Sequence, residues 1–220
     1  MNFLELAKRT SKECGISGEG PSSVAGQSGM NAKVVNWVRT AYEELQTQHE
    51  WNSDWASFTT ALQAGKESYD TAGDWGLDVK RVAQDGLYTY RTADGPHAKH
   101  WPVFIGWQQF RQLRIPDVTG IPSYYSIAPN ESIYFHPAPQ DGLTMVMEYS
   151  QNPQELNQNL DVPRLPRRFH MAIVWRAVML FCASEENPSL LQSARENYQR
   201  YIKRMAISEL PALQEPEPLA

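Results

Sequence analysis

The chain has 220 residues, a hydrophobic fraction of 41% and a formal net charge of -5. That length suits one domain, or one core with a subdomain inserted in it, and the composition excludes a disordered protein. The acidic balance argues against a surface that coats nucleic acid, because such a surface needs lysine and arginine to displace counterions from phosphates. It is compatible with a wall along which DNA slides without being held.

Two helices are predicted in the first quarter of the chain. The first covers about 2–14 and ends at Gly15, and the second covers about 30–49, where apolar residues recur at three- and four-residue steps. The loop between them is rich in glycine and serine but lacks the spacing of a phosphate-binding loop. Trp37 lies off the main apolar stripe of the second helix, so we expect it to contact a second surface.

From about Trp55 the apolar period changes to two, which predicts β-strands. The segments 56–62 and 67–70 flank a Gln-Ala-Gly-Lys sequence and are expected to form a hairpin. The Asp85-Gly86 pair is expected to make a turn between two further strands. The remaining predictions are strands at 78–82 and 86–91, a short helix at 103–113, and a meander of strands at 123–128, 132–136 and 143–149. The side chains of the meander expected to face inward are Tyr125, Ile127, Ile133, Phe135, Met145 and Met147.

Helical sequence returns after a linker rich in asparagine, glutamine and proline. The third long helix starts near Leu165 and reaches about Glu186. The Asn187-Pro188 pair provides a cap and a first helical residue for a fourth helix, which ends near Leu210. The segment 211–220 contains three prolines and cannot continue that helix.

The predicted fold class is α+β. The N- and C-terminal helices are expected to form a helical bundle, with an inserted antiparallel β subdomain and an extended C-terminal tail. The expected boundaries are 1–55 for the N-terminal helices, 56–150 for the β-rich insertion, 151–210 for the C-terminal helices and 211–220 for the tail.

The third helix contains a stretch that is apolar nearly all round, from Met171 to Trp175. A helix of this kind must be covered on every side, either by a neighbouring subunit or by the inserted sheet. The tail has prolines that favour an extended peptide and leucines that could enter pockets on a partner. A frayed terminus would have the same composition.

No pattern of catalytic or metal-binding residues is evident, so neither an enzyme nor a cofactor is expected. The pair His97 and His100 has no cysteine or carboxylate at ligand spacing. Asp70, Asp74 and Asp78 recur at four-residue steps, but they lack the alternating acidic positions and central glycine of a calcium loop. No apolar stretch reaches the ~20 residues of a membrane span.

The order and spacing of these motifs resemble those of the head-to-tail adaptor proteins of tailed bacteriophages, also called connector or head-completion proteins. The likeness covers most of the chain, and 75–114 is the part where little aligns. The motifs that carry it are the loop Gly18–Val24, the helix segment Val35–Val38, the Trp51 and Trp55 pair, the segment ending at Asp70, the strand Ile133–Pro139 and the helix opening Leu165–His170.

The resemblance implies a non-enzymatic virion component at the head–tail interface, made in the host cytoplasm. Such proteins bind beneath the portal protein as a ring, typically dodecameric, and they extend the DNA channel. They offer a platform to the next tail component, a nozzle or a tail tube or completion protein. Double-stranded DNA would pass through the lumen without specific binding, and no membrane is involved.

The resemblance also assigns roles to particular residues. Subunit contacts are expected at Trp37, Met171, Val174 and Trp175. Portal binding is expected at Leu210, Pro211, Leu213, Pro216, Pro218 and Leu219.

Two other functions remain open at this point. One is a glycan-binding tail accessory module, in which exposed tryptophan or tyrosine of the β insertion would stack on sugars. The other is a cell-wall hydrolase that uses an uncommon carboxylate pair, such as one including Asp70 or Asp74.

Overall fold

The computed structural model describes residues 1–210. The chain divides into two compact units, one made of Met1–Asp54 with the chain from Pro153 onward, and the other made of Trp55–Asn152. In sequence order, helices precede and follow a segment whose strands pair mainly antiparallel. The predicted mixed α+β class, with N- and C-terminal helices, is therefore confirmed.

The helices follow the predicted order, with differences at their ends. Capping explains several of the boundaries. The Asn2 side chain and Glu5 form a reciprocal capping box at the first helix, and the Asn187 side chain accepts a hydrogen bond from the Leu190 amide at the last. The five helices are α1 (Phe3–Glu13), α2 (Gly29–Gln48), α3 (Trp107–Leu113), α4 (His170–Ser184) and α5 (Pro188–Glu209) within the described residues.

Helix α4 is central to the helical unit, where it packs against α1, α2 and α5. Its apolar sequence fits this position, because Ile173, Ala177 and Val178 are each 0% exposed. Trp51 is also fully buried, and its indole Nε1 donates a hydrogen bond of 2.7 Å to the carbonyl of Leu45. A helix that is apolar nearly all round thus meets neighbours within its own unit on several sides.

The polar linker before α4 is attached to α2 by side-chain hydrogen bonds. The Tyr42 hydroxyl donates to Gln154 Oε1 at 2.8 Å and accepts from the Arg164 amide at 3.0 Å. The Gln154 amide donates to Gln46 Oε1 at 2.7 Å. Burial raises the pKa of Tyr42 to about 12, so its hydroxyl stays protonated as these bonds require.

The second unit is built from short and long strands. Residues 1–210 contain nine strands: β1 (Trp55–Ala61), β2 (Ser68–Tyr69), β3 (Val79–Arg91), β4 (Val103–Phe104), β5 (Thr119–Gly120), β6 (Tyr124–Ile127), β7 (Ile133–His136), β8 (Ala138–Pro139) and β9 (Leu143–Gln151).

Strand β9 is the centre of a three-stranded antiparallel sheet with the order β1-β9-β3. A second sheet has the order β2-β7-β6-β4, and β5 pairs with β8. The core of this unit includes Tyr125, Ile133, Met145 and Met147, each 0% exposed. These four side chains were among the predicted inward faces, whereas the predicted Ile127 is only half-buried.

The predicted hairpin between the first two strands is wrong. A turn does occur there, since the Lys66 amide donates to the Gln63 carbonyl at 3.2 Å. The flanking strands separate, however, because β1 pairs with β9 and β2 pairs with β7 in a different sheet. Alternating polarity specifies a strand and its inner face but carries no information on which partner it finds.

The predicted Asp85-Gly86 turn is also wrong. The two strands around it form one continuous strand, β3, with a bulge in which the residues Ala83–Gly86 lie opposite the single residue Glu148. Gly86 suits this close approach, because an added Cβ would lie 2.8 Å from the Cβ atoms of both Ala83 and Glu148. The glycine thus reflects crowding at a bulge instead of a chain reversal.

Two further predictions need correction. The helix expected at 103–113 begins only at Trp107, because Val103 and Phe104 form a strand parallel to β6. The expected meander is only partly present. Strands β6 and β7 pair antiparallel, but β9 belongs to the other sheet.

Candidate interaction surfaces

Three of the four predicted subunit-contact residues retain exposed surface in the single chain. Trp37, Met171 and Trp175 are half-buried and pack at the margin of the helical core. The Trp37 ring meets that of Phe181 edge to face, with 5.6 Å between ring centroids. Val174 differs from them because it is 0% exposed among the chain's own side chains. The subunit contact at Val174 stays a prediction.

A polar rim joins three helices beside this surface. Arg176 Nε donates to Glu44 Oε2 at 2.6 Å, which links α4 to α2. The Tyr198 hydroxyl of α5 donates to Gln48 Oε1 at 3.0 Å. The hydrogen bond with Glu44 raises the pKa of Arg176, and burial raises the pKa of Tyr198. The arginine that interrupts the apolar run of α4 thus has a structural partner.

The end of α5 is attached to the start of α4. Arg168 Nη2 donates to Glu209 Oε1 at 2.9 Å and to Ser208 Oγ at 2.6 Å, and Glu209 is only 8% exposed. Leu210 is half-buried against the helical core. Nearby on α5, Ile207 is 87% exposed. The end of the described chain is therefore held by an ion pair and apolar packing.

The remaining residues of the predicted portal-binding set lie outside the described residues. They are Pro211, Leu213, Pro216, Pro218 and Leu219.

The β-rich unit exposes several large apolar side chains. Trp101 is 50% exposed, and its ring lies 4.8 Å from that of Tyr88 with an interplanar angle of 49°. Lys99 Nζ lies 4.4 Å from the centroid of the Tyr88 ring. Because the rings are tilted and a lysine covers one of them, they do not form a flat platform for stacking a sugar. The other exposed large apolar residues of this unit include Trp55, Val103, Leu113, Ile115, Val118 and Tyr124.

The aspartates considered for a hydrolase hold a local turn. Asp74 Oδ1 lies 2.6 Å from Lys66 Nζ, and Asp74 Oδ2 accepts from the Asp70 amide at 2.9 Å. The hydrogen bond from Lys66, followed by that from the Asp70 amide, lowers the pKa of Asp74. Asp70 Oδ1 in turn accepts from the Ala72 amide at 3.1 Å. Asp74 is therefore held in its charged form, and both carboxylates are engaged in contacts within the turn.

His170 is a buried polar residue whose position the sequence did not reveal. It is 1% exposed, and its Nε2 lies 2.9 Å from the carbonyl of Leu165. Since a carbonyl can only accept, Nε2 carries the proton and Nδ1 accepts from the Met1 amino group at 2.9 Å. Burial is the main cause that lowers the pKa of His170. A histidine at the start of a helix gives no sequence signal that separates this role from an exposed cap.

The two cysteines are buried and free. Burial is the largest of the causes that raise the pKa of Cys14 to about 12, so its thiol is protonated and unreactive near neutral pH. Across residues 1–210, no cluster of three or more histidine, cysteine, aspartate or glutamate side chains could hold a metal ion. None of the described helices is both long and apolar enough to cross a membrane.

Comparison with known proteins adds one match. A family model described as SU10 adaptor protein matches residues 1–217, which is nearly the whole chain. None of the curated proteins matches this chain.

Proposed function

We propose that this chain, which belongs to the SU10 adaptor protein family, docks as a ring beneath the portal, extends the DNA channel and provides the platform for tail attachment. The family is one of phage structural adaptor proteins, so the chain is a virion component that associates with portal and tail components. The observation that carries the proposal is the extent of the family match, because residues 1–217 include both the helical unit and the β-rich unit.

In the proposed ring, neighbouring copies contact each other through the helical unit. Trp37, Met171 and Trp175 support this proposal, because they are large apolar side chains that their own chain leaves half-exposed. Covering them with a second copy would remove apolar surface from water, worth about 25 cal/mol per Å². The proposed ring is a dodecamer.

The lumen of the ring is proposed to pass double-stranded DNA without binding it. The chain carries a formal net charge of -5. A wall made from acidic subunits lacks the excess of lysine and arginine that non-specific DNA binding requires, so it presents little attraction to the phosphates. This charge suits a channel that DNA passes without being bound.

The tail from Leu210 onward is proposed to bind the portal. Leu210 is held beside the helical core, and the Arg168–Glu209 ion pair fixes the end of α5. A segment that is attached at a fixed point loses less conformational entropy on binding than a segment attached to a mobile helix end. Leu213 and Leu219 would supply the apolar side chains that enter portal pockets, and Pro216 and Pro218 would limit the tail to extended conformations.

Deletion of 211–220 tests the portal contact. We expect the shortened chain to keep its helical content and thermal unfolding midpoint, since no buried residue of the described core is removed. We expect its binding to assembled portal rings to be lost in a pull-down with the cognate portal protein. Attachment of the shortened chain at the level of the full chain would refute the proposed role of the tail.

A pair of matched substitutions separates side-chain recognition from tail length. Leu213→Ala combined with Leu219→Ala should weaken portal binding at least tenfold, because two buried leucines contribute several times the ~1.4 kcal/mol that corresponds to that factor. Gln214→Ala in the same segment should leave portal binding unchanged. Equal effects of both changes would indicate that the tail does not place its leucines in pockets.

A further inference from the structure

Strand β1 leaves one row of its backbone groups without a strand partner. The Leu62 amide donates to the Leu143 carbonyl at 2.8 Å, which continues the β1–β9 ladder by one residue. Because backbone groups alternate in direction along a strand, those of Ala56, Phe58 and Thr60 also point towards β9. Those of the intervening residues Trp55, Ser57, Thr59 and Ala61 point away from β9. Within residues 1–210 no other strand pairs with them, and their side chains are exposed.

The other edges of these sheets are protected against pairing. On the opposite side of the same sheet, β3 carries Lys80 and Arg81 and has two register irregularities. On that edge, the Thr89 amide donates to the His100 carbonyl at 2.8 Å, and the His100 amide donates to the Thr89 carbonyl at 2.7 Å. In the four-stranded sheet, the edge strands β2 and β4 have two residues each. Charges, bulges and short length are the usual means of preventing edge-to-edge association.

Strand β1 has none of these protections. It has seven residues, with the sequence Trp-Ala-Ser-Phe-Thr-Thr-Ala, and it contains no charge, no proline and no register shift in its pairing with β9. Aromatic and β-branched residues favour extended structure. A long, regular and uncharged edge of this kind is a template for addition of another strand.

The sequence of β1 is also complementary to itself. In an antiparallel pair of two copies centred on Phe58, Ser57 lies opposite Thr59 and Trp55 lies opposite Ala61. In this register the residues whose backbone groups point away from β9 lie opposite each other. Each of these amides can therefore donate to a carbonyl of the other copy. Small hydroxyl side chains oppose each other, and the largest side chain opposes the smallest. No charged side chain of β1 opposes another, although the chain as a whole is acidic.

We propose that β1 pairs antiparallel with β1 of a second copy of this chain, and that the two three-stranded sheets join into one continuous sheet. The contact is isologous, because each copy uses the same strand. Such a contact closes on itself and cannot extend around a ring. It therefore holds free copies as dimers and is distinct from the contacts that join neighbours around a ring. The dimer does not depend on the function proposed above.

Thr59→Pro tests this pairing with little change to the folded chain. Proline removes the outward amide of Thr59, which bonds to no strand of its own chain, and proline is tolerated on edge strands. We expect sedimentation velocity to show a concentration-dependent dimer for the unaltered chain. For Thr59→Pro we expect the dissociation constant to rise at least about tenfold, because the change occurs in both copies and also adds a steric clash.

Thr59→Val is the matched control, because valine keeps the amide and favours extended structure, and it should dimerise like the unaltered chain. A monomeric unaltered chain would overturn the proposal, and so would equal dissociation constants for the proline and valine variants. A second measurement covers the case in which the proline variant misfolds. Amide hydrogen exchange of the unaltered chain should slow at Ser57 and Thr59 as its concentration rises, and exchange that is independent of concentration would contradict the dimer.

Discussion

His170 shows how a single side chain can make the helical unit sensitive to pH. Its two ring nitrogens bond to the Leu165 carbonyl and to the Met1 amino group, each at 2.9 Å. The second bond requires a neutral ring, since Nδ1 must accept. The lowered pKa of His170 has burial as its main cause. Protonation at this position therefore opposes the folded state.

The sign of the effect follows from linkage. In the unfolded chain a histidine binds a proton near pH 6.5, whereas folded His170 binds it only at lower pH. The unfolded state thus binds more protons below that value, and the free energy of unfolding falls as the pH decreases. The slope cannot exceed about 1.4 kcal/mol per pH unit for one group.

His170→Gln should reduce this dependence on pH, because a glutamine amide can donate to the Leu165 carbonyl and does not titrate. Urea unfolding at about pH 5 and about pH 8 measures the effect. The unaltered chain should lose more stability between these values than the variant does, by up to about 2 kcal/mol. The other histidines are common to both proteins and cancel in the comparison. Parallel pH profiles would show that His170 does not titrate in this way.

The sequence predicted single residues well where burial follows a local period. Tyr125, Ile133 and Met145 lie in segments whose apolar residues recur with a period of two, and each is 0% exposed as expected. It did not foresee that Val174 is fully buried in the single chain, because a continuous apolar run does not show which sides meet the chain's own helices and which remain exposed. Trp37 and Trp175 were also expected at a subunit contact, and this stays a prediction.

At the scale of elements, helices were predictable because their signals are local. The Asn187-Pro188 pair marks the start of α5, and Gly15 follows the end of α1 closely. Strand partners were not predictable, since β1 pairs with β9 from the far end of its unit. An Asp-Gly pair looks the same in sequence whether it reverses the chain or accommodates a bulge, as it does in β3.

The bulge in β3 can be tested through its glycine. Gly86→Ala should lower the free energy of unfolding by roughly 1–3 kcal/mol, because the new methyl group would overlap its neighbours. The nearest atoms are the Cβ atoms of Ala83 and Glu148, both at 2.8 Å. Denaturant unfolding monitored by tryptophan fluorescence gives this difference.

Gly106→Ala is the control for that substitution. Gly106 precedes α3 with φ -59° and ψ 146°, a conformation open to alanine, and an added Cβ would meet nothing within 4 Å. Gly106→Ala should change the free energy of unfolding by no more than about 0.5 kcal/mol. If Gly86→Ala were equally mild, the close packing of the bulge against β9 would not contribute to stability.

At the scale of the whole molecule, the chain belongs to a family of phage structural adaptors, and its surface offers features that suit assembly. Asp74 is ion-paired with Lys66, and the Cys14 thiol is protonated. Half-exposed apolar residues on the helices and an uncharged edge at β1 instead leave surface that association would bury. The order and spacing of the motifs predicted the family, and the family match over residues 1–217 confirms that prediction.

The most direct measurement is electron microscopy of the chain mixed with assembled rings of its cognate portal protein. The proposal predicts a closed ring of copies on one face of the portal, coaxial with its channel, with Trp37 and Trp175 at the contacts between neighbours. Portal rings that stay bare at saturating concentrations of the folded chain would contradict it.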